Sequence, residues 1–280
     1  MGTYDDDTFQ AAYDKVLAKW PADREALTLP TPFGTTYVNA CGPSDAPPLL
    51  LLPGGGGATS ASWFAQAAEL ARVRRVYAVD LIGAAGRTEA SGARTVADLG
   101  DWLDALLAGL GVERADLGGH SHGAWIALHY ALRAPERVRR LFLLDPTQCF
   151  AGFETAYLLR ALPMLLRPTP RRVRAFLDWE TGGADLDPDW LRLQEAAAGF
   201  PSGRPVTGPR PTPEALRALR ARVLLIVAAN SRTHDAYTVA ARAGELLPRV
   251  ETDVLPDVSH HALPVAAPSG VGCRLREFLV

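Results

Sequence analysis

The 280-residue sequence predicts an α/β protein with a doubly wound, mostly parallel sheet and an inserted helical cap. Three observations predict this fold. Apolar strand-like runs alternate with helical patterns along most of the chain. The runs are nearly all apolar, which marks strands buried on both faces of a parallel sheet. Between Leu144 and Val223, more than 70 residues carry no strand pattern, too long for a structureless loop in a compact domain.

Taken in order, the chain opens with a helical segment at Phe9–Trp20. Strands are expected at Thr35–Ala40, Pro48–Leu52, Arg75–Val79, Arg114–Leu117, Leu141–Leu144, Val223–Val227 and Val250–Leu255. Helices are expected at Val96–Leu110, His122–Ala134, Tyr237–Leu247 and Val271–Leu279. In the first of these, Leu99, Leu103, Leu106, Leu107 and Leu110 fall on one stripe at helical spacing. The strand-free interval is rich in Pro and Arg, and its helical patches carry Trp179, Trp190 and Phe200. It is expected to lie as a cap over one end of the sheet. The expected division is a core in two parts, residues 1–145 and 222–280, with the cap at 146–221.

Composition narrows the function classes. Hydrophobic residues make up 48% and charged residues 21%, an ordinary globular balance. A chain of this size buries about 75% of its unfolded surface and needs no metal or disulfide to hold together. A net charge of −2 speaks against a surface built for nucleic acid or anionic membranes. Cys41, Cys149 and Cys273 match neither a metal-ligand spacing nor a disulfide framework. The start, MGTYDDDTFQ, lacks the basic-then-apolar order of a signal peptide. No uncharged apolar run reaches the roughly 18 residues of a membrane span. Neither His-Glu-x-x-His nor Cys-x-x-Cys occurs. The expectation is a soluble, cytoplasmic protein with no cofactor and no metal, acting on a small-molecule substrate without nucleic acid or membrane partners. A homodimer is left open.

The strongest chemical signal is Gly119-His120-Ser121-His122-Gly123, a G-x-S-x-G pattern. It follows an expected strand and precedes the helical run AWIALHYALRAP. That context suits a sharp strand-to-helix turn that lifts a serine hydroxyl above the sheet edge, with glycines easing the turn. Composition alone yields about 0.07 such pentapeptides in this chain.

On these residues the chain resembles the α/β-hydrolase superfamily, from Thr35 to Val280 apart from the cap, and among its members bacterial serine carboxylesterases. The resemblance implies Ser121 as nucleophile. In those enzymes the third strand ends in a His-Gly pair whose following residue donates a backbone N–H to the oxyanion hole. The matching run here is Leu51-Leu52-Pro53-Gly54-Gly55-Gly56-Gly57, with Pro53 in place of the His, a departure that loosens the loop's anchoring. Gly55 N–H and His122 N–H are the implied oxyanion donors, and the His122 side chain is a candidate to line the pocket. The glycine run lacks the Lys-Ser/Thr of a phosphate-binding loop. Ala78-Val79-Asp80-Leu81-Ile82-Gly83 resembles the exit of the family's fourth strand, where Asp80 is structural. Leu255-Pro256-Asp257-Val258-Ser259-His260 resembles the family's final histidine loop, so His260 falls on the catalytic position, with His261 one register step away. The other histidines read as packing or pocket residues.

The acid is less direct. The family carries it just after the seventh strand in a Gly-x-x-Asp turn, where this chain reads Ala228-Ala229-Asn230-Ser231. Two carboxylates could replace it. Asp145 ends the strand Leu141–Leu144 and resembles the acid that haloalkane dehalogenases carry after strand six. Asp235, four residues beyond Ser231, also reads as a helix N-cap. Asp145 is preferred and Asp235 is the alternative. The resemblance implies cleavage of an ester, lactone or thioester through an acyl-enzyme. The missing acid after strand seven leaves open a ligand-binding receptor, and the scaffold also hosts cofactor-free lyases or cyclases. Serine at 121 argues against epoxide hydrolase and dehalogenase chemistry, which require aspartate there.

Overall fold

The structure is a computed structural model that describes residues 4–265 and 270–280. Residues 1–3 and 266–269, parts of the expected core segments 1–145 and 222–280, lie outside the described residues. Eight strands form one sheet: β1 (Glu25–Thr31), β2 (Gly34–Cys41), β3 (Pro48–Leu52), β4 (Arg75–Val79), β5 (Ala115–His120), β6 (Val138–Leu144), β7 (Arg222–Ala228) and β8 (Val250–Leu255). Their order is β1-β2-β4-β3-β5-β6-β7-β8. β2 runs antiparallel to both its neighbours, and every other pairing is parallel.

The all-apolar strands are explained by a core on each face. Leu49, Leu50, Leu51 and Leu52 of β3 are all fully buried. Leu49 and Leu51 pack on the face covered by α1 (Asp6–Leu17), α2 (Phe64–Ala71) and α10 (Val271–Leu279). Leu50 and Leu52 pack on the other face, covered by α3 (Val96–Gly109), α4 (His122–Arg133) and α9 (Ala236–Leu246). Each buried leucine stabilises the fold by about 1.5–3 kcal/mol relative to exposure. On α3, the stripe residues Leu99, Leu103, Leu106 and Leu107 are buried, as their spacing predicts.

Two elements escape the sequence reading. β1 pairs only with β2 at the sheet edge, alternates between exposed and half-buried positions, and contains Pro30. An edge strand needs little apolar content and tolerates proline, so its pattern looks like a loop. α2 is only eight residues and Ala-rich, burying Gln66, Ala67 and Leu70. β5 runs on to His120, past the expected end at Leu117, through Gly118 and Gly119. A Cβ on Gly118 would stand 1.9 Å from Phe142 Cζ of β6, so only glycine lets the strands pack there.

Between β6 and β7 lie α5 (Thr155–Leu166), α6 (Pro170–Thr181), α7 (Pro188–Ala196) and α8 (Pro213–Arg217). α6, α7 and α8 each begin with proline after a capping side chain: Thr169, Asp187 and Thr212 accept backbone N–H groups of the first turn. The segment is tied to the core by hydrogen bonds and an ion pair. Trp190 Nε1–H donates to Ser62 Oγ at 3.2 Å, and Gln194 Nε2–H donates to Gly57 O at 3.1 Å. Lys19 pairs with Asp187 at 2.5 Å. Among the described residues, no helix is long and apolar enough to cross a membrane.

Candidate active site

Ser121 occupies the turn between β5 and α4 with φ 54° and ψ −118°. A non-glycine residue in this region stores about 1–3 kcal/mol of strain, held only because the surroundings dictate it. Ser121 N–H donates to Leu144 O at 2.9 Å, and Trp125 N–H donates to Ser121 O at 3.1 Å. The two glycines of the motif are required by space. A Cβ on Gly119 would lie 2.4 Å from the Gly123 carbonyl, and one on Gly123 would lie 2.3 Å from the carbonyl oxygens of Leu52 and Pro53. That close approach packs the turn against the β3 exit, so the loop at Pro53 is anchored without a histidine.

His260, in the loop after β8, lies with its Nε2 2.9 Å from Ser121 Oγ and its Nδ1 2.6 Å from Asp145 Oδ2. Asp145 follows β6 and is fully buried. Its carboxylate is saturated with donors. Oδ1 accepts Ala228 N–H and His234 Nε2–H, each at 3.1 Å, and Oδ2 accepts Ser231 Oγ–H at 2.8 Å as well as His260. Burial opposes ionisation, but hydrogen bonds from His234 and His260 outweigh it and hold the Asp145 carboxyl below the usual carboxylate range. An ionised Asp145 accepts Nδ1–H of His260, which leaves Nε2 free to accept the Ser121 proton. Asp235 is not brought to this cluster. Its carboxylate caps α9 by accepting Thr238 N–H at 2.6 Å and stays exposed.

The remaining sequence candidates fall around this chain. A Cβ on Gly54 would stand 3.6 Å from Ser121 Cβ, and one on Gly55 would stand 3.6 Å from His122 Cβ. The glycine loop thus faces the first turn of α4, whose N–H groups have no carbonyl of their own helix to bond. The His122 ring does not line the cavity over Ser121; it stacks on Trp125 at 5.3 Å. Burial, aided by His129, lowers its pKa to about 4. His120 donates Nε2–H to His260 O at 3.0 Å, and burial drives it far toward the neutral form. Asp80 accepts from Tyr13 O–H, Ser60 N–H and Arg87 N–H, a buried junction that fixes α1 against the β4 exit. The cavity above Ser121 holds about 30 Å³ and is lined by Gly54, Gly55, Trp63, Trp190, Gln194 and Pro264, among others.

Comparison with known proteins fits this geometry. The α/β hydrolase fold family profile matches residues 47–183. The carboxylesterase YbfK of Bacillus subtilis is 31% identical over 97% of this chain and 93% of its own length. This chain belongs to the α/β-hydrolase family. The uncharacterized carboxylesterase nap of the same organism is 30% identical over 96% of this chain and 91% of its own. Crystal structures agree: carboxylesterase CesB (YbfK) superposes with a TM-score of 0.89 at 32% identity, covering 97% of this chain and 96% of the other. The naproxen esterase (carboxylesterase NP) of Bacillus subtilis gives 0.89 at 28% identity, covering 98% and 97%. Within the family, this chain is a hydrolase of the serine carboxylesterase type.

As an α/β-hydrolase, the chain departs from the family pattern after strand seven. Ser231 stands at the strand-seven position of the family's acid, and its hydroxyl donates to Asp145 instead. His234, which the sequence presents as a packing or pocket residue, bonds Asp145 Oδ1 while His260 bonds Oδ2. The sequence signal available was the pairing of a missing carboxylate with a serine and a histidine in the same turn.

Proposed function

We propose that this chain hydrolyses a carboxylic ester of a small molecule through Ser121, His260 and Asp145 by way of an acyl-enzyme. The observation that carries this reading is the continuous hydrogen-bond chain, 2.9 Å from Ser121 Oγ to His260 Nε2 and 2.6 Å from His260 Nδ1 to Asp145 Oδ2. His260 takes the hydroxyl proton as Ser121 Oγ attacks the ester carbonyl, and returns it to the leaving alcohol. Gly55 N–H and His122 N–H stabilise the oxyanion, where losing one donor costs about 3–4 kcal/mol. Water, deprotonated by His260, then attacks the acyl-Ser121 ester and releases the acid. The carboxylesterase names of two relatives similar over nearly the whole chain support an ester as substrate. The contact of His260 Nδ1 with Asp145 Oδ2 at 2.6 Å favours an ester hydrolase over a ligand-binding receptor. A fluorophosphonate should therefore add to Ser121, seen by mass spectrometry of the peptide that contains it. Adduct formation elsewhere, or none, counts against the reading.

We further propose that the inserted helices act as a cap that limits the acyl group. The cavity above Ser121 is small, about 30 Å³. Trp190 of α7 closes one side of it. For p-nitrophenyl esters, kcat/KM is expected to fall at least about tenfold from acetate to octanoate. Trp190→Ala should narrow that ratio by improving the longer ester. An unchanged ratio in the variant would remove Trp190 from acyl selection.

A further inference from the structure

Glu180 stands in the last turn of α6, inside the inserted segment, and is buried at 1% exposure. Its carboxylate reaches across to the loop after β8. Oε1 accepts His260 N–H at 3.1 Å, while Oε2 accepts His261 N–H at 3.1 Å and Ser259 Oγ–H at 3.0 Å. On its other side, the His260 carbonyl accepts His120 Nε2–H at 3.0 Å. The peptide of His260 is thus gripped at its N–H by the inserted helices and at its C=O by the residue before Ser121.

A buried carboxylate is costly unless its lone pairs are filled. Here three donors fill them, all from the three consecutive residues that end in the His260-His261 pair. Simple docking of α6 onto the core needs no charge, since Phe176 and Leu177 already bury apolar surface there. We infer that Glu180 is a positioning residue for His260, fixing the backbone so that the imidazole spans Asp145 and Ser121. This inference rests on the proposed role of His260 as base. A glutamine at 180 has one acceptor oxygen, and its NH₂ would face a backbone N–H, so at least one grip on the loop is lost.

The test compares wild type with Glu180→Gln on p-nitrophenyl acetate, alongside proton NMR of the low-field His260 Nδ1–H shared with Asp145. Glu180→Gln should lower kcat about 10–100-fold with KM within about twofold. The low-field resonance should broaden or vanish. Ser259→Ala removes one of the three donors and leaves the two amide bonds, so kcat should drop about two- to tenfold in a folded protein. It decides the matter should Glu180→Gln fail to fold. Wild-type kcat in either folded variant, or a loss accompanied by an intact resonance, overturns the positioning role. Failure of the function reading looks different: Ser121→Ala would then keep its turnover, whatever Glu180 does.

Discussion

Ser121→Ala should lose about 10⁴- to 10⁶-fold in kcat on p-nitrophenyl acetate while KM and the far-UV spectrum stay close to wild type. The hydroxyl is the only atom removed, and it is the atom that lies 2.9 Å from His260 Nε2. What survives is the activity of the oxyanion donors and binding alone, which hydrolyse by water attack and not through an acyl-enzyme. Steady-state kinetics with both proteins at matched concentration is the measurement. A variant that keeps a tenth of its activity would mean another nucleophile. The same site makes a second expectation of opposite sign. Ser121 holds φ 54°, a conformation that costs an L-residue and suits glycine. Ser121→Gly should therefore be as inactive as Ser121→Ala but unfold at a higher temperature than it.

The strained Ser121 turn is legible in the sequence because its constraints are local. Gly119 and Gly123 must be glycine because a Cβ on either would stand 2.3–2.4 Å from neighbouring backbone atoms, so the motif is written within five consecutive residues. The strands β3, β4 and β8 keep their expected bounds to the residue, β3 and β4 because they are almost wholly buried. β1 and α2 were not, since an edge strand and a short alanine-rich helix carry weak patterns. The supports of the site were the least legible. His234 meets Asp145 across 89 positions, and Glu180 meets His260 across 80. No period or motif links such pairs, because the sheet order and the inserted helices bring them together, and a helix-borne glutamate reads as a solvated surface charge.

Asp145→Asn should cost about 10⁴-fold in kcat, and Asp235→Asn should cost almost nothing. The two substitutions are chemically identical, so their contrast isolates the environment. At 145, the carboxylate Oδ2 accepts both Ser231 Oγ–H and His260 Nδ1–H. An amide NH₂ turned toward His260 can donate only, which forces the imidazole proton onto Nε2. That tautomer presents an N–H to Ser121 Oγ and cannot take its proton. Turning the amide over puts NH₂ at Ala228 N–H and His234 instead, which clashes with two donors. Either orientation leaves a buried polar group unpaired, so the variant should also lose about 1–3 kcal/mol of stability. At 235, the side chain is exposed and accepts only Thr238 N–H at the start of α9. Asparagine caps a helix about as well as aspartate, so activity should match wild type and stability should move by a few tenths of a kcal/mol. Kinetics and thermal unfolding of both variants make the comparison. A large loss in Asp235→Asn with a small one in Asp145→Asn would reverse the assignment. Combining Asp145→Asn with Ser121→Ala should be no worse than Ser121→Ala alone, because an imidazole in the wrong tautomer matters only when there is a hydroxyl to activate.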